Sequence, residues 1–281
     1  GWFVALVGYE WAGQQVHRNV YTSGEDLDLL RGMYEPESDV EVLWERFEGD
    51  EHVVVGAHAS MAHGIDWQKH NPELERFVEI YSMWGASDER ESELQPLQAE
   101  NQERARSVNE LLGTGARLGF TGGGDCHHGV VGFAPESTEC QGQVPHTAYK
   151  NLVYRCGLTA ALLPQLDRES VIDALRNRST YATTGARILL DFAIGDLEMG
   201  QSGHVEETEC LVLVHATDTI KRIEIVGNGS VAWSCQPDEQ DAAVTWTDPN
   251  PPNSERWYYV RVIQEDGHMA WSSPIWIEPA E

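Results

Sequence analysis

Short apolar runs alternate with polar, glycine-containing breaks along the chain, and the pattern changes character near residue 197. In the first part, runs of the buried or half-buried strand type occur at Trp2–Gly8, Val16–Thr22, His52–Ala57, Arg76–Ser82, Ala116–Phe120 and Gly157–Leu163. Between them lie apolar residues at helical spacing. Ser23 opens one such stretch with Leu27, Leu29, Leu30 and Met33, and Ser38-Asp39 opens another through Val42, Leu43, Trp44 and Phe47. Leu94–Leu112 reads as a long helix closed by Gly113 and Gly115, and Asp167–Arg178 as a helix capped by Asp167. The runs Thr180–Gly185 and Ile188–Ile194 close this region. Strands and helices in alternation predict parallel strands joined by crossover helices.

Beyond residue 197 the helical period disappears. Cys210–Ala216, Lys221–Val226, Val231–Ser234, Ala243–Trp246, Trp257–Gln264 and Met269–Ile277 all read as strands, separated by Gly, Pro, Asn and Asp turns. Asp266-Gly267 is a hairpin signal. The expected organisation is therefore an α/β domain over residues 1–197 and a small all-β, sandwich-like module over residues 198–281.

The chemistry concentrates at strand ends. Gly119–Val130 runs from an apolar strand into three glycines and then delivers Asp125, His127 and His128. Asp-x-His on extended backbone puts a carboxylate and an imidazole on one side, and these are ligand types for Zn, Mn or Fe. Glu10, His17 and His58 sit at or near the ends of three other predicted strands. Polar residues at the C-terminal ends of parallel strands converge on one mouth, so Glu10, His17, His58, Asp125 and His127 form the expected metal set. Glu10 and Asp125 are the candidate catalytic carboxylates. Glu79 is a candidate for orienting an imidazole. His63, His70, His128, Arg18 and Arg187 are candidates for contact with substrate, against the plainer description of solvated side chains. Residues 131–152 read as a long loop of the kind that covers a site.

Composition narrows the partners. The chain has 281 residues, with 46 acidic against 19 basic and a formal charge of −27. Such a surface repels nucleic acid and anionic membranes, and accords with saline or extracytoplasmic surroundings. No apolar run approaches a membrane span, and no signal peptide stands at the start. Five cysteines lack any Cys-x-x-Cys pair, which argues against a structural zinc ribbon. Cys210 and Cys235 both fall in the strand-rich part, and their pairing stays open.

Gly8-Tyr9-Glu10, Val16-His17, Ala57-His58 and Gly124-Asp125-Cys126-His127 resemble motifs of the PHP (polymerase and histidinol phosphatase) superfamily. Glu79–Ser82, Gly157–Ala160, Arg178–Arg187 and Ala270–Trp276 are similar to a little-characterised branch labelled only as a domain of unknown function. The resemblance implies a distorted (β/α) barrel, here incomplete, with Glu10 bridging metals and His17, His58, Asp125 and His127 as further ligands. The superfamily's opening His-x-His and Asp-His are not in the chain, which starts in an apolar run without Met; a preceding segment is expected. The implied activity is metal-assisted hydrolysis of a small-molecule ester, foremost a phosphoester, with activity in doubt for a fragment. The alternative is a non-catalytic extracellular binding or assembly protein with a relic metal site, its Trp233, Trp246, Trp257, Trp271 and Trp276 stacking on sugars.

Overall fold

The computed structural model describes residues 3–13, 17–30, 32, 39–58, 67–92, 94, 105–125, 155–250 and 254–279. The first half builds strands β1 (Val7–Ala12), β2 (His17–Thr22), β3 (Val53–Ala57), β4 (Glu75–Ser82), β5 (Gly85–Ala86) and β6 (Gly119–Gly122), with helices α1 (Glu41–Phe47) and α2 (Val108–Leu112). The six strands form one open sheet in the order β1-β2-β3-β4-β5, with β6 also paired to β4. Only β3/β4 and β4/β6 are parallel; β1/β2, β2/β3 and β4/β5 are antiparallel.

This corrects the expected (β/α) barrel: the protein is a layered, mostly β structure. The physical reason lies in the connections. Residues 13–16 alone separate β1 from β2, whereas a parallel crossover needs a dozen or more residues. The apolar spacing after Ser23 does not produce a helix over residues 23–30, where Leu29 is exposed. Of the long helix expected at Leu94–Leu112, the described residues 94 and 105–107 are not helical and the described helical part is α2, which starts at a capping box of Ser107 and Glu110.

The second half contains β7 (Leu158–Ala161), α3 (Arg168–Asn177), β8 (Thr180–Thr183), β9 (Leu189–Ile194), β10 (Leu197–Glu198) and β11 (Ser202–Gly203). It continues with β12 (Glu209–His215), β13 (Ile220–Gly227), β14 (Ser230–Cys235), β15 (Asp241–Thr247), β16 (Arg256–Gln264), β17 (Met269–Ser272) and β18 (Ile275–Ile277). Asp167 caps α3 by accepting from the Ser170 backbone N–H, as the sequence predicts. An eight-stranded sheet runs β11-β18-β16-β17-β8-β7, with β13 on β16 and β14 on β13; a four-stranded sheet runs β10-β9-β12-β15.

The three sheets stack. The eight-stranded sheet packs one face on the four-stranded sheet through Phe192, Val212, Tyr258, Val260 and Val262, a β-sandwich core. Its other face meets the first sheet and α2 through Trp271, Trp276, Tyr259, Ile80 and Phe120. Trp257, Trp271 and Trp276 are thereby core residues, while Trp233 and Trp246 are half-buried and stack on one another at 6.4 Å. Buried Arg261 ties the layers, donating to Asp88 Oδ2 (2.8 Å), Glu89 Oε1 (2.7 Å) and Glu224 Oε2 (2.6 Å). Trp271 Nε1 also donates to Asp88. Cys156, Cys210 and Cys235 are free thiols, so Cys210 and Cys235 do not pair. Among the described residues no helix is long and apolar enough to cross a membrane.

The two faces of the first sheet differ. One carries Trp11, Val20, Val53 and Val55 against α1, and further along Ala57, Val78 and Ile80 against the middle sheet. On the other, Val54 and Phe77 pack against Ile172 and Leu175 of α3. That second face continues past α3 into the cluster described next.

Candidate metal centre

Strand register assembles the cluster. Ala12 pairs with His17 and Glu10 with Asn19, so Glu10 and His17 are diagonal neighbours on one face. Arg18 pairs with Ala57, which sets His17 opposite His58 one step beyond β3, where the His58 N–H donates to the His17 carbonyl at 3.3 Å. Ala57 lies beside Val78 in the parallel pair, so Glu79 follows next to His58. One row of side chains thus crosses four strands.

Glu10 Oε1 pairs with His17 Nδ1 and lies 3.8 Å from His58 Nε2. One ligand atom each from Glu10, His17 and His58 falls within 4.8 Å of the others. The two imidazoles stack with centroids 6.1 Å apart. His58 Nε2 is also 3.3 Å from Asp125 Oδ2, while His58 Nδ1 is 3.0 Å from Glu79 Oε1. Asp125 follows β6 with φ 45°, the left-handed region, which turns its carboxylate back over the sheet. Gly123 makes room for this: a Cβ there would lie 2.2 Å from Glu79 Oε2. Here the glycines serve close approach, with Gly123 N–H donating to the Tyr81 carbonyl at 2.9 Å.

The carboxylates set the electrostatics of the cluster. Burial pulls the His58 pKa down, but the Glu79 and Asp125 carboxylates outweigh it and hold it well above the usual imidazole value. Burial raises the Glu79 pKa, His58 opposes the rise, and Asp125 and Glu10 add to it. Tyr21 lies behind the row, its phenol pushed up to about 12 by burial and by Glu79 and Glu10. The sequence reading passed over Tyr21, although strand alternation from His17 puts it on this face.

The other sequence candidates lie elsewhere. Arg18 is fully buried on the opposite face, paired with Glu75, whose Oε2 is 2.7 Å from His70 Nδ1. Arg187 is exposed in the turn between β8 and β9. His63, His127, His128 and the 131–152 loop lie outside the described residues.

Residues 117–208 match the family described as "Protein of unknown function (DUF3604)". That match corrects the sequence reading: the family matched over this third of the chain is one of unknown function and not the PHP superfamily, the layered sheets are not its barrel, and the support which that resemblance lent to a phosphoesterase goes with it. The chain is 35% identical over 250 residues to an uncharacterised protein of Chlamydia pneumoniae, covering 78% of this chain and 37% of that protein. It is 31% identical over 311 residues to an uncharacterised protein of Chlamydia trachomatis, covering 98% and 47%. The chain therefore spans less than half the length of these relatives. Among solved structures, a Jonesia denitrificans lytic polysaccharide monooxygenase aligns over 28% of this chain and 58% of its own, at 11% identity and TM-score 0.25. Fibronectin(III)-like modules of Clostridium thermocellum CbhA align over 32% and 95%, at 11% identity and TM-score 0.23.

Proposed function

We propose that Glu10, His17 and His58 hold a divalent transition metal (Zn, Mn or Fe) and that the chain is a metal-dependent hydrolase acting on a small-molecule ester. The observation that carries this reading is the gathering of one carboxylate and two imidazole donor atoms, from three chain segments, within 4.8 Å. The donor set fits: one carboxylate oxygen and two imidazole nitrogens are ligand types that these metals take, at about 2.0–2.2 Å. The far side of His58 also fits, since a carboxylate on the second ring nitrogen fixes the tautomer and presents Nε2. When bound, such a metal supplies Lewis acidity and brings the pKa of water towards neutrality. In this reading Glu79 orients His58, and Asp125, 3.3 Å from the same Nε2, would hold the attacking water or take its proton.

Elemental analysis and hydrolysis of nitrophenyl acetate, phosphate and bis-phosphate esters test the reading together. Near-stoichiometric metal is expected in the wild type, with loss of both metal and turnover in His58→Ala and Glu10→Ala. Metal at background level, with no turnover on adding Mn, Fe or Zn, would end it.

A further inference from the structure

At the other end of the first sheet a cavity of about 780 Å³ is lined by Trp67, Arg76, Arg117 and Arg178, among others. Three arginines converge there in a chain that has 19 basic and 46 acidic residues. Arg76 comes from β4, Arg117 from just before β6, and Arg178 from the C-terminal cap of α3. All three are half-buried.

Among the described residues, the hydrogen bonds of two of them go to backbone carbonyls. Arg76 donates through Nε to the Arg176 carbonyl and through Nη1 to the Pro72 carbonyl, both at 2.8 Å. Arg178 donates through Nε to the Gly200 carbonyl at 3.0 Å. Among the described residues neither forms an ion pair, although Glu73 acts on Arg76 through space. Arg117 is paired with Glu255 and lies 3.5 Å from Glu278. Burial, then Arg76 and Arg117, push the Arg178 guanidinium down to about 10. Among the described residues, Arg76 and Arg178 thus lack a carboxylate at ion-pair distance, while Arg117 has two.

Arg178 is also held in place. Its φ of 63° is left-handed, and glycines flank its backbone. A Cβ on Gly119 would lie 2.9 Å from Arg178 Cα, and one on Gly200 would lie 2.6 Å from its carbonyl carbon. The guanidinium sits 5.5 Å over the Trp276 ring, with that of Arg117 at 5.9 Å over the same ring. An arginine fixed in this way presents its remaining N–H groups to the cavity already ordered.

We propose that this cavity binds the phosphate group of a small phosphorylated molecule. Guanidinium forks match phosphate oxygens in pairs, and a dianion offsets two unpaired arginines where a monocarboxylate offsets one. The cavity exceeds one phosphate, and the Trp67 ring and Pro72 give its organic part an apolar wall. Arg117 and Asp125 lie beyond opposite ends of β6, so binding here needs no metal at Glu10, His17 and His58.

Calorimetric titration of the full chain with inorganic phosphate and phenyl phosphate, in EDTA and at constant ionic strength set with chloride, tests the assignment. Saturable binding is expected in the wild type, weakened at least tenfold in Arg178→Gln and less in Arg178→Lys. Arg76→Gln gives the same reading if circular dichroism shows Arg178→Gln unfolded. Absence of saturable binding, its loss in EDTA, unchanged affinity in the folded variant, or equal binding of acetate would each overturn the proposal.

Discussion

Single side chains in this protein act through what surrounds them, and Asp248 shows the point most simply. It sits after β15, where Oδ2 accepts from the Tyr258 hydroxyl at 2.6 Å and from Arg256 at 2.7 Å, and Oδ1 from the Asn250 N–H at 2.8 Å. Burial raises its pKa, but these bonds and the Arg256 charge outweigh burial and leave it below the usual carboxylate value. The folded state therefore binds the proton less readily than the unfolded state. The stability gained is present above the unfolded carboxylate pKa and is lost as pH falls through the lower folded value. Urea unfolding of Asp248→Asn is expected to show a loss of about 1–3 kcal/mol at pH 7, a gap that narrows below about pH 4. In the sequence, Asp248 is one aspartate in a Pro-Asn turn and nothing marks it. Glu10, His17 and His58 are easier to read because imidazole and carboxylate at strand ends are uncommon enough to notice.

Elements position those side chains, and here the sequence was legible in part. Period-two alternation in β2 and the continuous apolar run of β3 gave strands within a residue or two of those observed. Strand direction was not written there. The alternation is the same whichever way a neighbour runs: the four-residue link from β1 to β2 allows only an antiparallel pair, and the helical spacing after Ser23 suggests a parallel crossover from β2 to β3 where the two strands pair antiparallel. The row of site residues survived the change of topology because it depends on which face each residue takes. Close packing of β6 on β4 then completes it. In Gly123→Ala the new methyl must displace the Glu79 carboxylate, a buried side chain that can shift, while the backbone pairing stays. The expected outcome is a thermal midpoint within a few degrees of wild type with roughly tenfold weaker metal affinity, the lower end of losses from disturbed partners of metal-binding histidines. Metal-binding calorimetry beside a melting curve checks it; unchanged affinity would remove Glu79 from the site's support.

At the scale of the whole molecule, composition says little about arrangement. The strand-rich second half was legible as a sandwich. That β7 and β8 join its larger sheet was not, because α3 between them looks like any crossover helix. Strand β16 shows what the stacking entails. Trp257, Tyr259 and Ile263 face the first sheet, while Tyr258, Val260 and Val262, interleaved with them, face the sandwich. Neither core can melt while β16 keeps its place, and β16 cannot leave for one core alone. The two halves of the chain should accordingly lose structure together. Calorimetry is expected to give one transition whose measured enthalpy equals its van't Hoff value; two resolved peaks would show the layers to be energetically separate.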